Sequence, residues 1–373
     1  MKILHLANHA RNIGNGIVNV MVDLACTQAA AGHEVMVASS GGEFEVLLAR
    51  YGVRHVFLPQ SPRPSRVPAM LLGFRRLVAQ SDPDIIHAHM MTGALIARCA
   101  VLQRRYRLVT TVHNEFQRSA LLMGVGDRVV GVTRAVAASM AQRGVPAQRL
   151  SVVRNGTIGT PRFADTPLPA APGLQRPSIA TLAGMYRRKG IQDLLHAFAH
   201  LRGGRPGATL YLIGDGPDRA EMESLAGELG IAQHVHFTGF IADPRPYLAE
   251  TDVFVLASHA EPAGLVLCEA REAGCAIVAT RVGGIPEMLD DGEAGLLVPP
   301  ASPLALADAI DMLLADESAR ATLTARAQRH LDTFSVQRIC DAYLSIYEQT
   351  IEAVLPGRLA QKAVRGIHNT TTP

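Results

Sequence analysis

The sequence predicts an α/β protein made of two Rossmann-like parallel-sheet domains facing each other across a cleft. Two observations carry that prediction. Short apolar runs rich in Val, Ile and Leu alternate with helix-length segments, the pattern of parallel strands covered on both faces. The alternation also occurs twice, with a Pro-rich break between the two series. The length agrees, since 373 residues at about 100–200 residues per domain suggest two domains. Hydrophobic residues make up 48% of the chain and charged residues 18%, which suits a large core and excludes wholesale disorder.

The first series opens with the strand KILHL, the turn Gly14-Asn15-Gly16 and a helix-like stretch to about Ala31. Strand-like runs follow at EVMVASS, RHVFLP, DIIHAHM, RLVTTVH, RVVGVT and LSVVRNG, and together they define a first domain at 1–160. Residues 161–177, PRFADTPLPAAPGLQRP, lack periodicity and read as a linker. The second domain, 178–333, restarts with SIATLAGM and continues through ATLYLIGDG, VHFTGF, DVFVLAS, AIVATRV and GLLVPP. Residues 334–356 predict a helix that packs back on the first domain, and 357–373 a frayed tail.

Charge is divided unevenly. The first 160 residues carry 18 Arg/Lys and 8 Asp/Glu, and the remainder 18 and 25, so the halves are net +10 and −7. Arg63, Arg66, Arg75 and Arg76 flank the apolar segment MLLGFRRLV, and Arg98, Arg104, Arg105 and Arg107 form a second group. These clusters read either as a solvated basic face or as a peripheral contact with an anionic membrane. With no Trp and 5% aromatics, the chain lacks the stacking residues of a nucleic-acid binder. Cys26, Cys99, Cys268, Cys275 and Cys340 show no C-x-x-C spacing and all lie in apolar stretches, so buried free thiols are expected. The N-terminus lacks the apolar stretch of a signal peptide, and no run is long enough to span a bilayer. The expected location is cytoplasmic, with peripheral contact at the inner face of the membrane.

Ligands of open α/β sheets sit beyond the carboxyl ends of the strands, and that rule sorts the motifs. Glu261-Pro-Ala-Gly264-Leu265 follows the strand DVFVLAS, and Gly264 is expected to open a helix whose free N–H groups form a pyrophosphate seat. Glu269, about one and a half turns further on, has two acceptor oxygens for a vicinal diol such as a ribose. A helix-start acid and a surface Glu are the plain alternatives for these two carboxylates. Gly184-Met-Tyr-Arg-Arg188-Lys189-Gly190 follows SIATLAGM and places two cations where a diphosphate would lie. The scarcity of lysine, found only at 2, 189 and 362, sets Lys189 apart.

Together with DIIHAH, Asn155-Gly156, Gly214-Asp215-Gly216-Pro217, VGGIPEML and DGEAGLLVPP, these two segments resemble the retaining glycosyltransferases of family 4, with the GT-B fold. The resemblance covers nearly the whole chain. It implies a hexose transferred from a nucleoside diphosphate sugar, the co-substrate, to a hydroxyl of a glycan or lipid-linked acceptor, with no metal and no further cofactor. Arg188 and Lys189 would bind the diphosphate, helped by the N–H groups of Gly264 and Leu265. Glu269 would hold the ribose, Glu261 the transferred sugar, and backbone near Ile241 the base. Gly184 begins the cationic turn, and Gly16 would approach the phosphate from the other domain. His113, at the end of RLVTTVH, would face donor sugar and acceptor, as a base or by orienting the sugar.

The sequence departs from the family pattern at three points. Met185 stands where many members have Arg, Ala263 replaces the usual aromatic after Glu-Pro, and the first turn is Gly-Asn-Gly. Other signals carry little. Asp82-Pro-Asp84 precedes its strand and so lies at the wrong end for a metal site. His87 and His89 share a strand face, but zinc would need further ligands. Gly214-Asp-Gly216 lacks the third glycine of a dinucleotide fingerprint. Asp290-Asp291 reads as a surface turn. The rival functions are a nucleotide-sugar epimerase or hydrolase on the same fold, and a catalytically silent assembly subunit.

Overall fold

The computed structural model describes residues 1–60, 63–101 and 103–353. The tail expected at 357–373 and residues 354–356 of the expected last helix lie outside them. The strands fall where the apolar runs place them. The first half contains β1 (Lys2–Leu6), β2 (Glu34–Ser39), β3 (Arg54–Phe57), β4 (Ile85–Ala88), β5 (Arg107–Val112), β6 (Arg128–Gly131) and β7 (Leu150–Val152). The second contains β8 (Ser178–Leu182), β9 (Thr209–Ile213), β10 (Val235–Gly239), β11 (Val253–Leu256), β12 (Ala276–Thr280) and β13 (Leu296–Val298).

Both sheets are parallel. Their orders are β3-β2-β1-β4-β5-β6-β7 and β10-β9-β8-β11-β12-β13. Each therefore reverses direction once, between β1 and β4 in the first and between β8 and β11 in the second. A crevice opens beyond the strand ends at such a reversal, because the connecting helices leave on opposite faces. The cores follow from the same layering. Met70 and Phe74 of helix Val67–Ser81 cover one face of the first sheet, and Met21 and Val22 of helix Gly16–Ala30 cover the other. In the second half, Leu194 and Phe198 of helix Ile191–Arg202 pack with Ile310 of helix Pro303–Ala315. Leu267 and Ile285 lie on the opposite face. Each such apolar side chain contributes about 1.5–3 kcal/mol when fully buried.

The last helix, Val336–Glu352, begins at Ser335, whose hydroxyl accepts from the Arg338 N–H at 3.3 Å. Its Ile339, Tyr343, Ile346 and Tyr347 pack with Ile3, Ile85, Val109 and Val130 of the first sheet. The crossing strand-like contact is tight. Ile158 N donates to Phe334 O at 3.2 Å and Val336 N to Ile158 O at 2.9 Å. A Cβ on Gly156 would lie 2.0 Å from Phe334 O, so only glycine fits that crossing.

Two expectations are corrected. Cys99 is exposed, unlike the other four cysteines, because it ends helix Met91–Cys99 on the side turned from the core. Asp290 is not simply a surface turn residue. Its carboxylate accepts at 2.9 Å from Arg271, whose fully buried guanidinium also donates to the carbonyls of Met288, Ala327 and Arg329.

Candidate active site

The loops at the reversal of the second sheet carry the two motifs, and the fold joins them. After β8 the chain turns through Gly184 and enters a 3-10 turn, Arg187–Lys189. Gly190 then takes φ +64°, and a Cβ there would lie 2.0 Å from Ala257 O, just past β11. This close backbone approach brings Lys189 beside the loop after β11. Its ammonium pairs with the Glu261 carboxylate, which also accepts from Ser258 Oγ at 3.3 Å. Glu261 is 7% exposed, so the pair sits at the floor of the crevice, where low water content strengthens its attraction.

Glycines hold the Glu261 loop from below. Cβ atoms on Gly283 and Gly284 would lie 2.0 Å from Glu261 O and 2.1 Å from Pro262 O. Gly284 N donates to Glu261 O at 3.0 Å. The first half grips the same loop, since Thr133 Oγ1 donates to Pro262 O at 2.9 Å, and it also holds helix Ile285–Met288, where Glu287 Oε2 accepts from Arg134 N at 2.9 Å. Ala263, 5% exposed, packs among side chains of the first half, which is why this position holds a small residue here.

The helix after this loop starts later than the sequence suggested. It spans Val266–Glu272, with Leu265 as its N-terminal flank and Gly264 at φ +80° ahead of it. Among the described residues the N–H groups of Gly264 and Leu265 find no protein acceptor, so they remain available to a ligand anion. A Cβ on Gly264 would lie 3.4 Å from Glu261 Cγ, and one on Gly16 would lie 3.1 Å from Leu265 Cδ1. Gly14 abuts the Phe240 ring in the same way, at 3.2 Å. The Gly-Asn-Gly turn of the first half thus faces the loops of the second, and a Cβ at either glycine would require the Leu265 or Phe240 side chain to shift.

Glu269 lies one face of this helix further in. Burial pushes its carboxyl up to about 7, against the opposing pull of Arg162. Arg162, in the expected linker, donates to Asp23 Oδ1 at 2.9 Å, an atom that also accepts from Thr160 at 2.6 Å. Arg162 Nη2 and Asp23 Oδ2 are buried without partners. Neither residue was singled out in the sequence. A Pro-rich context disguises Arg162, and Asp23 is an isolated acid on an apolar helix.

Other expected residues are placed as follows. Arg188 is exposed, its guanidinium 5.9 Å from the Tyr186 ring centroid, and it has no ion-pair partner among the described residues. Met185 is a core residue at 1% exposure whose N–H donates to Asp215 O at 3.0 Å. The position therefore faces inward, and the cations that face outward come later in the turn. A Cβ on Gly184 would lie 2.9 Å from the Tyr186 ring. Ile241 is half-buried against Tyr211, Ile213 and Tyr247, so its side chain packs while its backbone follows β10. His113 follows β5 and is partly buried, with Nε2 at 3.3 Å from His89 Nδ1. Two residues on, burial raises the pKa of Glu115, and the charge of Glu261 adds to that rise, which sets the end of β5 opposite the Glu261 loop. His259, which pairs with Asp193 at 2.5 Å, is a site-edge residue that no spacing signal revealed.

The two facing sheets with a cationic, N–H-lined crevice between them define a GT-B glycosyltransferase architecture. Comparison with known proteins identifies the family. Residues 14–157 match the family described as Glycosyltransferase Family 4, and residues 176–316 that described as Glycosyl transferases group 1. A GDP-mannose-dependent alpha-(1-6)-phosphatidylinositol monomannoside mannosyltransferase of Mycolicibacterium smegmatis is 31% identical over 319 residues, 77% of this chain and 81% of that one. The lipopolysaccharide core biosynthesis glycosyltransferase LpsE of Rhizobium meliloti is 38% identical over 183 residues; that match spans about half of either chain, 49% and 51%. Among solved structures, Anabaena HepE in complex with UDP and glucose superposes with a TM-score of 0.79 at 22% identity, covering 94% of this chain and all of that one. The chain belongs to the group 1, family 4 glycosyltransferases and is a transferase of that kind.

The raised carboxyl of Glu269 has a signed consequence. A folded-state pKa of about 7 against an ordinary 4.5 means that the folded chain holds this proton more tightly than the unfolded chain. The resulting stability is complete below about 4.5 and is lost as pH rises through about 7. In melting curves of the ligand-free protein, wild type is expected to lose ground to Glu269→Gln across that interval. A melting-temperature difference that stays constant with pH contradicts the assignment.

Proposed function

We propose that this protein is a retaining, metal-independent hexosyltransferase that moves a hexose from a nucleoside diphosphate sugar to a hydroxyl of a glycan or lipid-linked acceptor in cell-envelope or exopolysaccharide synthesis. The observation that carries it is the Lys189–Glu261 pair at the reversal of the second sheet, beside the open N–H groups of Gly264 and Leu265. A diphosphate seated there meets Lys189 as a point charge, Arg188 as a mobile fork and two backbone donors. Glu261, held by Lys189 and Ser258, presents its remaining acceptor capacity to sugar hydroxyls. Glu269 offers two oxygens to the ribose diol.

The chemistry then needs position and charge stabilisation. The bond between the sugar C1 and the β-phosphate oxygen breaks, and a bond from C1 to the acceptor oxygen forms on the same face. The departing phosphate receives the acceptor's hydroxyl proton. Arg188, Lys189 and the two N–H groups stabilise the negative charge that grows on that phosphate. His113 orients donor sugar and acceptor from the first half. Relatives named for GDP-mannose-dependent transfer and a neighbour solved with UDP and glucose support a nucleotide-sugar donor. Names that include lipopolysaccharide core and phosphatidylinositol mannoside support a lipid-linked or glycan acceptor.

A thermal-shift panel of UDP, GDP, ADP and NAD, each with magnesium and with EDTA, tests this reading. One diphosphate is expected to stabilise the protein equally in both buffers. A ligand at 100 times its dissociation constant adds about 2.7 kcal/mol, and Lys189→Ala and Glu269→Ala each reduce the shift. No shift with any diphosphate contradicts the proposal and favours a silent subunit. Free sugar released at a rate indifferent to acceptor favours a hydrolase or epimerase.

The acceptor side carries the membrane part of the proposal. The basic first half exposes Leu72 beside Arg75 and Arg76, and Phe116, Leu121 and Leu122 beside Arg118. Exposed apolar side chains interspersed with arginine suit the surface of an anionic bilayer at the inner membrane face. No described helix is long and apolar enough to cross a membrane. Flotation with vesicles containing anionic lipid is expected to carry the protein at low salt and release it at high salt; absence of salt-sensitive binding removes this part.

A further inference from the structure

A row of hydrogen-bonded side chains runs from His113 into the first half. His113 Nε2 lies 3.3 Å from His89 Nδ1, His89 Nε2 3.0 Å from His5 Nδ1, and His5 Nε2 2.8 Å from Gln28 Oε1. Beyond Gln28, its Nε2 donates to Tyr347 OH at 3.3 Å, and that hydroxyl lies 2.7 Å from His87 Nδ1. His87 Nε2 in turn lies 2.7 Å from Thr111 Oγ1. His5, Gln28 and His87 are fully buried and His89 nearly so. His5, His87 and His89 come close enough together to suggest metal ligands. Yet all six of their ring nitrogens have hydrogen-bond partners, so the cluster is satisfied as a row of donors and acceptors.

Burial keeps these imidazoles neutral, with His5 lowered to about 4, His113 to about 3, and His87 and His89 held well below the ordinary histidine value. A neutral imidazole has one N–H and one bare nitrogen. Each hydrogen bond in the row therefore dictates which nitrogen of the next ring holds the proton. Gln28 alone cannot change tautomer, because an amide oxygen only accepts and an amide nitrogen only donates. Its Oε1 faces His5, so His5 carries its proton on Nε2 and accepts at Nδ1. His89 must then donate from Nε2 and accept at Nδ1, and His113 must donate from Nε2. Turning the amide through half a revolution would reverse every donor in the row. His113 Nδ1 has no protein partner among the described residues and is not a buried atom.

We infer that Gln28 is a positioning residue: its amide carbonyl, acting through His5 and His89, fixes His113 as the Nε2–H tautomer and leaves Nδ1 bare as a hydrogen-bond acceptor in the cleft. The inference rests on the proposed place of His113 beside the donor sugar. A bare nitrogen there accepts from a sugar hydroxyl and leaves that hydroxyl's oxygen free, whereas the other tautomer would present an N–H and donate to the oxygen instead. The last helix enters the same arrangement through Tyr347, so the returning C-terminus helps hold the amide in place.

Long-range proton–nitrogen NMR correlation of the histidine-labelled full chain tests the row directly, with His113→Gln used to assign the signals. Wild-type His113 is expected to be protonated at Nε2 and bare at Nδ1. A proton on Nδ1 overturns the inference without any need for a variant at Gln28. Gln28→Met, similar in size and without an acceptor, is expected to give a mixture of the two tautomers. Gln28→Glu, which keeps an acceptor oxygen toward His5, restores the single form. Unchanged His113 signals in folded Gln28→Met also overturn it. Release of UDP from UDP-glucose and of GDP from GDP-mannose then separates the two levels of the argument. A roughly tenfold lower turnover at unchanged KM supports both the row and the role of His113. A shifted tautomer with unchanged turnover supports the row and overturns the placement of His113 at the sugar.

Discussion

The structure depends on one constraint: two loops that leave adjacent strands in opposite directions must meet closely enough to form an ion pair. β8 and β11 are neighbours, yet their following helices cover opposite faces of the sheet. Lys189, in the loop after β8, pairs with Glu261, in the loop after β11. A buried pair of this kind is weak evidence for stability, because desolvation offsets much of the attraction. Its value lies in geometry. Glycine at 190, 283 and 284 allows backbone contacts that a Cβ would forbid, and those contacts fix where the carboxylate and ammonium stand.

The two halves contribute unequally to this site. The second half supplies the cations, the paired carboxylates and the free N–H groups. The first half supplies contact and orientation. Its Gly-Asn-Gly turn fits against Leu265 and Phe240, and Thr133 bonds the carbonyl of Pro262. Arg162 and Asp23 join the segment between the halves to the first helix and place a buried cation within electrostatic reach of Glu269. The charge state of Glu269 and the seating of the connecting segment are thereby linked through one guanidinium.

The fold was legible in the sequence because the central strands are apolar runs bounded by turn residues, and parallel strands buried on both faces need no alternation to be recognised; only edge strands such as β3, Arg54–Phe57, depart from that pattern. The paired glutamates and the Arg188-Lys189 turn were legible because they follow strands at the ligand end. What stayed hidden depends on contacts between residues far apart in the chain. Gln28 looks like an ordinary polar residue on helix Gly16–Ala30 until Tyr347, more than three hundred residues later, packs beside it. Arg271 is fully buried, and its guanidinium is satisfied by three carbonyls and Asp290, contacts that no local sequence pattern announces. Cys99 sits in an apolar stretch but at a helix end, where the periodicity that would bury it stops. Helix Val266–Glu272 begins after Gly264 rather than at it, because the left-handed conformation of that glycine delays the first helical turn.

The most direct test of the Lys189–Glu261 site is calorimetric titration of wild type, Lys189→Met and Glu261→Gln with a nucleoside diphosphate and with the matching nucleotide sugar. Lys189→Met is predicted to weaken both ligands by about tenfold or more, the scale of one charge-assisted hydrogen bond. Glu261→Gln is predicted to weaken the nucleotide sugar alone, because that carboxylate is proposed to hold the transferred hexose rather than the phosphates. Equal affinity of all three proteins for both ligands would contradict the placement of the donor at the reversal of the second sheet.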